Sequence, residues 1–181
     1  MGAPCLEIHV FSFSRNSGKT LLVERIVSSI SSNGIPVMAV KHVHHGGPDL
    51  VTGKDAERVF SAGAHVSVAY GSEYSLIIAR TSASPRHIIE LLSNTINGMF
   101  AVVFEGFRGH YMGVPVLVLK EPGDLGRVDC RRLEEAGGIV TSFNNALVGY
   151  KAGCLVEEPA KVVERLTGLA REKCGCPCPL V

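Results

Sequence analysis

The sequence has no excess of charge of either sign and no long apolar run. Its 181 residues include 18 lysines and arginines against 17 aspartates and glutamates, a formal net charge of +1. Overall charge therefore favours neither nucleic acid nor an anionic membrane as a partner. The apolar runs are strand-sized, and no charged N-terminal region precedes an apolar core, so we expect neither a transmembrane helix nor a signal peptide. We accordingly expect a cytoplasmic protein.

The six cysteines are not spaced like those of a secreted disulfide framework. Three are scattered, and Cys174, Cys176 and Cys178 crowd the last eight residues. Three close thiolates could supply part of a zinc or iron–sulfur site, although a closed site needs a fourth ligand. The alternative is a tail after the final helix. We therefore divide the chain into one domain, residues 1–173, and a cysteine-rich tail, residues 174–181.

Predicted strands alternate with predicted helices along the chain. Residues 6–13, LEIHVFSF, are typical of a strand, and residues 21–34, LLVERIVSSISSNG, carry apolar residues at helical spacing before an Asn-Gly stop. Residues 36–42, PVMAVKH, form a second apolar strand of the kind that parallel sheets bury on both faces. This order predicts an α/β fold with a mostly parallel open sheet flanked by helices, whose ligands bind at the carboxyl ends of the strands.

The segment FSFSRNSGKT, residues 11–20, lacks the first glycine of a phosphate-binding loop. The pattern is G-x-x-x-x-G-K-[ST], in which Gly18, Lys19 and Thr20 supply the second half and Phe13 replaces the first glycine. Asn16 is among the few non-glycine residues that tolerate left-handed backbone angles. Because the segment joins a predicted strand to a predicted helix, we interpret it as the loop of a P-loop NTPase rather than a surface turn.

In such a loop the backbone N–H groups and the next helix N-terminus bind phosphate oxygens. Lys19 reaches the β- and γ-phosphates, and the Thr20 hydroxyl is a ligand of Mg²⁺. Glu105 ends the buried strand FAVVFEGF, so we assign it as the catalytic candidate and, with Thr20, as a metal-site residue that orients a water. Its alternative is a capping or salt-bridging role. The loop residues assigned to the nucleotide are Ser14, Arg15, Asn16, Ser17, Gly18, Lys19 and Thr20.

A second polar cluster follows the second predicted strand. The motif KHVHH is followed by GKD at a predicted helix start. Histidines there could donate to phosphate oxygens or bind metal as neutral imidazoles. No N-K-x-D guanine signature is present, and TSFNN, residues 141–145, could contact a base or form a turn, which leaves guanine and adenine open. The further candidate binding residues are Lys41, His42, His44, His45, Lys54, Asp55 and Arg108.

Taken together, SGKT, KHVHH with GKD and AGA, and VVFEGFR resemble the molybdopterin-guanine dinucleotide biosynthesis protein B (MobB) family of P-loop proteins. These motifs span residues 6 to about 107. The resemblance implies GTP as the bound nucleotide, with slow hydrolysis at most, and a homodimer. It also implies partnership with the nucleotidyltransferase that attaches GMP to molybdopterin, and molybdopterin or its guanine dinucleotide as a further ligand.

Two other classes of function fit parts of the sequence. One is a P-loop kinase of a small metabolite, against which stands the lack of an arginine-rich lid segment. The other is a metal-insertion GTPase that uses the histidine cluster and the cysteine tail as ligands. The residues alone also leave open whether molybdenum or tungsten lies downstream.

Overall fold

The computed structural model describes residues 2–43, 54–73, 75–107, 111–150 and 153–175. The chain divides into two compact units, residues 1–42 with 89–181, and residues 43–88. The strands in chain order are β1 (Ala3–Phe11), β2 (Val37–Lys41), β3 (Val66–Tyr70), β4 (Ser75–Ala79), β5 (Met99–Glu105), β6 (Val114–Leu119), β7 (Ile139–Ser142) and β8 (Val156–Glu157). The α-helices are α1 (Lys19–Ser31), α2 (Lys54–Ser61), α3 (Pro85–Ser93), α4 (Cys130–Glu135) and α5 (Pro159–Cys174), and a 3₁₀ helix spans Pro122–Arg127.

The larger unit contains a six-stranded sheet in the order β2-β5-β1-β6-β7-β8. Every pairing in this sheet is parallel. The predicted α/β fold with an open parallel sheet is therefore confirmed. The short strand β8 was not predicted, because two residues are too few to show a period. Strands β1 and β5 lie side by side, so the residues that follow them meet at one edge of the sheet.

The two faces of the sheet bury different sets of apolar side chains. Ala101 and Val103 of β5 belong to a cluster that includes residues of α1 and α5. Phe100, Val102 and Phe104 belong to a separate cluster, as expected when successive side chains of a strand point to opposite faces. Burial on both faces explains why β5 reads as an almost continuous apolar run.

Helix α1 begins at Lys19, directly after the loop that follows β1. Its buried residues Leu22, Ile26 and Ile30 recur at the predicted helical spacing. Burying a side chain of this size contributes about 1.5–3 kcal/mol, so this stripe anchors the helix to the sheet. The helix ends before Gly34, whose φ of 73° only glycine adopts readily. The apolar stripe thus fixes where the helix N-terminus lies.

The smaller unit contains α2 and an antiparallel pair, β3 with β4. In this hairpin Val66 pairs with Ala79 and Tyr70 with Ser75. Val66, Val68 and Tyr70 alternate along β3 and Ile77 lies opposite Val68, so all four share one face of the hairpin. All four are exposed. On α2, Asp55 is solvent-exposed and lies 3.8 Å from Arg58.

The structure pairs Cys5 with Cys174 and Cys130 with Cys154 as disulfides. The first pair is separated by 169 positions in sequence, so no spacing rule reveals it. This corrects the expectation that the cysteines do not form a disulfide framework. Helix α5 extends to Cys174, one residue beyond the boundary drawn for the tail, and its bonded sulfur is no longer a thiolate ligand. Cys176 and Cys178 lie outside the described residues.

Candidate functional site

The loop between β1 and α1 contains two residues with left-handed backbone angles. Asn16 has a φ of 56° and Gly18 a φ of 91°. Asn16 therefore adopts the left-handed backbone angle that its residue type was predicted to tolerate. Left-handed residues turn backbone N–H groups toward one side of a loop, where the N-terminus of a following helix adds its positive dipole. Arg15 and Asn16 are exposed, and the two left-handed angles are compatible with an anion-binding loop.

Gly18 is needed for space as well as for backbone angle. A Cβ atom built at this position would lie 2.5 Å from the Phe143 ring, which follows β7. The Arg25 guanidinium lies 5.3 Å from the centre of the same ring. The second glycine of the motif therefore lets an aromatic ring approach the loop backbone. Sequence reasoning missed this role of Phe143 and considered its neighbours only as base contacts or a turn.

The structure supports the turn for Asn144. Its side-chain Oδ1 accepts a hydrogen bond from the Ala146 N–H at 3.1 Å, and its own N–H donates to Ser142 Oγ at 3.0 Å. Local bonding of this kind is typical of asparagine in turns.

Lys19 extends back across the loop. Its Nζ donates to Ser12 Oγ at 2.8 Å and lies 3.4 Å from the Ser14 carbonyl oxygen. Ser12 in turn donates to the same carbonyl at 2.7 Å. These contacts hold the ammonium beside the loop backbone, where it could also contact a phosphate. Ser12 was not among the predicted site residues.

Ser17 is the one buried side chain in the described part of the chain whose oxygen lacks a hydrogen-bond partner. An unpartnered buried hydroxyl costs about 1–3 kcal/mol, so it needs a reason to persist. Its position directly before Gly18 and Lys19 supplies one, because a bound phosphate oxygen could accept from it. The orphaned hydroxyl is evidence from this structure that the loop fits a phosphate group.

Thr20 and Glu105 form the oxygen-rich part of the site. Thr20 Oγ1 donates to Glu105 Oε1 at 2.6 Å. The contact arises because β5 lies between β1 and β2, which places Glu105 opposite Val10 on one side and Lys41 on the other. A hydroxyl beside a carboxylate is the donor set that Mg²⁺ prefers, with water and phosphate oxygens completing the octahedron. These two residues therefore fit a magnesium ion.

Phe13, in place of the first glycine, packs against the hydrophobic core. Its ring contacts a hydrophobic cluster that includes Leu117 and Leu147. The Arg127 guanidinium lies 4.5 Å from the ring centre, within cation–π distance. Phe13 therefore fixes the loop to the segment after β6.

Asp124 links the same segment to the loop. The Ser14 hydroxyl donates to its Oδ1 at 3.2 Å, and its Oδ2 accepts from the Lys120 N–H at 2.9 Å. The Asp124 side chain is buried, and the Arg127 guanidinium at 3.8 Å compensates its charge. Sequence reasoning missed Asp124, although Glu121-Pro-Gly-Asp124 is a helix-start pattern that could have flagged it.

Beyond Glu105 the chain turns through two left-handed residues, Gly106 with a φ of 94° and Phe107 with a φ of 49°. A Cβ at Gly106 would lie 3.3 Å from His42 Cβ, so the tight turn allows β2 and β5 to end together. The His42 backbone N–H donates to the Glu105 carbonyl at 2.9 Å, and its ring lies 5.0 Å from the Phe107 ring. His42 therefore borders the site through its backbone and its ring.

His9 is buried beneath this turn. Its Nε2 lies 2.7 Å from the Gly106 carbonyl, and the Met112 N–H donates to its Nδ1 at 3.3 Å. These partners require a neutral ring with the proton on Nε2. Burial lowers the pKa of His9, and hydrogen bonds to the Gly106 and Phe107 backbone oppose the shift. His9 was missed because a histidine inside a predicted strand carries no sequence signal.

Several predicted site residues meet at one edge of the sheet in the larger unit. The structure brings together Ser14, Ser17, Gly18, Lys19, Thr20, Lys41 and Glu105, with His42 beside them. Lys54 and Asp55 begin α2 in the smaller unit. His44, His45 and Arg108 lie outside the described residues, so their assignment stays a prediction.

Among the described residues, no group of three or more histidine, cysteine or carboxylate side chains could hold a metal ion. In the same ranges, no helix combines the length and apolar character that a membrane crossing requires.

A parallel sheet, a Gly-Lys-Thr loop between β1 and α1, and an acidic residue at the end of the adjacent strand define a P-loop NTPase fold. Residues 8–122 match the family model described as Molybdopterin guanine dinucleotide synthesis protein B, MobB. This match covers more than half of the chain, and the chain therefore belongs to the MobB family. The resemblance seen in the sequence motifs is confirmed.

Similar proteins agree with this family. A Bacillus subtilis (strain 168) protein named probable molybdopterin-guanine dinucleotide biosynthesis adapter protein is 36% identical over 110 residues, which is 59% of this chain and 62% of that protein. The match thus spans less than two thirds of this relative.

The crystal structure of Bacillus subtilis MobB has a TM-score of 0.70 at 23% identity, covering 91% of this chain and 97% of that one. A MobB homolog from Bacillus stearothermophilus has a TM-score of 0.59 at 17% identity, covering 92% and 96%. At these identities the two structures show the fold.

Proposed function

We propose that this protein binds GTP with Mg²⁺ on the loop of residues 13–20 and acts as an adapter in molybdopterin guanine dinucleotide synthesis. The observation that carries the proposal is the contact between Thr20 Oγ1 and Glu105 Oε1 directly beside Lys19. A phosphate-binding lysine and a metal-binding oxygen pair at one helix N-terminus form a site for a metal-bound triphosphate. Membership of the family supports GTP as the nucleotide and the cytoplasm as the compartment.

Each side chain has a separate task in binding. Lys19 would contact the β- and γ-phosphates, and the Ser17 hydroxyl would gain the acceptor that it lacks. Thr20 would supply a ligand to the metal, and Glu105 would orient a water beside it. The magnesium ion, when bound, neutralises phosphate charge. We propose slow hydrolysis at most, with Glu105 as the residue that positions water.

As an adapter, the protein would assist the nucleotidyltransferase that attaches GMP to molybdopterin, by positioning GTP or the pterin product. The name of the Bacillus subtilis relative supports this role. We also propose a homodimer. The exposed hairpin face of Val66, Val68, Tyr70 and Ile77 supports it, because neighbouring apolar side chains on one face are typical of an interaction surface.

The test is a calorimetric titration of the purified chain with GTP and with ATP, each with and without Mg²⁺. We expect binding of GTP that Mg²⁺ strengthens, and weaker binding of ATP. The second arm measures the rate of molybdopterin guanine dinucleotide formation by the nucleotidyltransferase with and without this protein. No triphosphate binding would contradict the site, and an unchanged rate would contradict the adapter role.

A further inference from the structure

The Lys41 ammonium lies beside both oxygens of the candidate magnesium site, Thr20 Oγ1 and Glu105 Oε1. Its Nζ is 3.4 Å from Glu105 Oε1 and 3.5 Å from Thr20 Oγ1, while these two oxygens are 2.6 Å apart. The Thr20 hydroxyl uses its proton on the carboxylate, so its lone pairs face the ammonium. An ammonium has donors and no acceptor, which is the polarity of a metal cation. Lys41 therefore satisfies the same oxygen pair that would bind Mg²⁺.

The two members of the ion pair differ in burial. The Glu105 side chain is 9% exposed and the Lys41 side chain 57%. A carboxylate this deeply buried needs a positive partner, since an unpaired charge is costly away from water. The lysine head can instead leave for water at small cost, because a half-exposed ion pair is weak. The carboxylate is thus the fixed member and the ammonium the exchangeable one.

We propose that Lys41 is the resident counter-ion of the magnesium position. In the nucleotide-free protein its ammonium neutralises Glu105, and it leaves this place when a divalent cation binds, because two cations at one carboxylate repel each other. This inference rests on the proposed function, since it concerns the metal that accompanies the triphosphate.

A consequence is that Lys41 keeps the site from holding a divalent cation without nucleotide. A metal ion that binds without nucleotide must displace the ammonium, and the ammonium then gains no new anionic partner. A metal that arrives with a triphosphate brings anionic oxygens to which Lys41 can move. Lys41 would thereby couple metal binding to nucleotide binding, a free-energy coupling that acts equally in both directions.

The test measures Mn²⁺ binding to the nucleotide-free protein by electron paramagnetic resonance, with Mn²⁺ as the probe. We expect Lys41→Met to bind Mn²⁺ about fivefold more tightly than the wild type, the ratio that a partly exposed ion pair can supply. Lys161→Met is the matched control, because Lys161 is an exposed lysine on α5 that pairs with Glu158, the residue before the helix. Its removal should leave Mn²⁺ affinity unchanged. Lys41→Arg keeps the charge and should stay near the wild type.

A double-mutant cycle locates the effect. In a Glu105→Gln background Lys41→Met should change Mn²⁺ affinity by less than about twofold, because the partner charge is gone. Equal Mn²⁺ affinity in wild type, Lys41→Met and Lys161→Met would overturn the inference, as would an undiminished effect in the Glu105→Gln background. These readouts need no nucleotide. Absence of GTP binding to the wild type would therefore count against the proposed function, while the Mn²⁺ result decides the role of Lys41.

Discussion

Ser14 in the phosphate loop donates a hydrogen bond to Asp124, which lies 110 positions later in the chain, at 3.2 Å. The other carboxylate oxygen of Asp124 accepts from the Lys120 N–H, so one buried side chain joins the loop to the segment after β6. Arg127 of the same segment covers Phe13. The side chains of Asp124 and Arg127 thus hold this loop, which lacks the first glycine of the motif.

We predict that Asp124→Ala weakens triphosphate binding several-fold and lowers the free energy of unfolding by about 1–3 kcal/mol, because the Ser14 hydroxyl and the Lys120 N–H lose their acceptor. Asp129→Ala is the control. Asp129 caps α4 by accepting from the Arg132 N–H at 3.1 Å, so its loss should lower stability without a change in nucleotide affinity. Denaturant unfolding and calorimetry measure the two effects. Equal nucleotide affinity in both variants would show that Asp124 does not position the loop.

We predict that Lys19→Ala reduces affinity for GTP at least about tenfold, because charge-assisted hydrogen bonds contribute roughly 1.5–3 kcal/mol each. Lys161→Ala removes an equal charge from an exposed position on α5 and should bind GTP like the wild type. Calorimetry of both variants at one ionic strength makes the comparison. Unchanged affinity in Lys19→Ala would remove the phosphate-loop assignment.

We predict that Glu105→Gln leaves GTP affinity within a few fold and slows any hydrolysis of GTP. The amide keeps the shape of the side chain and can still accept from Thr20, but it loses the charge that orients water near the metal. Phosphate release under single-turnover conditions measures the change. If turnover is the same in wild type and variant, Glu105 has a structural role in the ion pair with Lys41.

The local parts of the site could be predicted from the sequence, and the long-range parts could not. The strand, loop and helix around Lys19 follow from short-range patterns, and the left-handed angle of Asn16 follows from its residue type. The approach of Phe143 to Gly18 depends instead on pairing between distant strands. The contact between Asp124 and Ser14 could not be predicted for the same reason, since it joins segments far apart in the chain.

The disulfide between Cys5 and Cys174 gives a further prediction. A bond that closes so long a loop restricts the unfolded chain, so Cys174→Ser should lower the free energy of unfolding by roughly 2–5 kcal/mol under oxidising conditions. In the presence of a thiol reductant, wild type and variant should unfold alike.

Truncation after Lys173, which also removes Cys174, should match Cys174→Ser in stability and retain GTP affinity. A stability difference between wild type and variant that persists in reductant would show that the lost packing of Cys174, rather than the bond, is responsible.

The last prediction concerns His9, whose neutral ring accepts from the Met112 N–H and contacts Phe11 and Phe107. Burial lowers the pKa of His9 in the folded protein from its usual 6.5, so the unfolded chain binds the extra proton first as the pH falls. The stability that His9 contributes is therefore complete above about pH 6.5 and declines below it, with a slope of at most about 1.4 kcal/mol per pH unit.

His9→Gln offers an amide to the same two backbone partners and cannot titrate, so its unfolding free energy should fall less between roughly pH 7.5 and pH 5 than that of the wild type. His65→Gln, at an exposed position, is the control and should keep the pH dependence of the wild type. Denaturant unfolding at both pH values gives the comparison, and an identical pH dependence in wild type and His9→Gln would show that His9 does not titrate on unfolding.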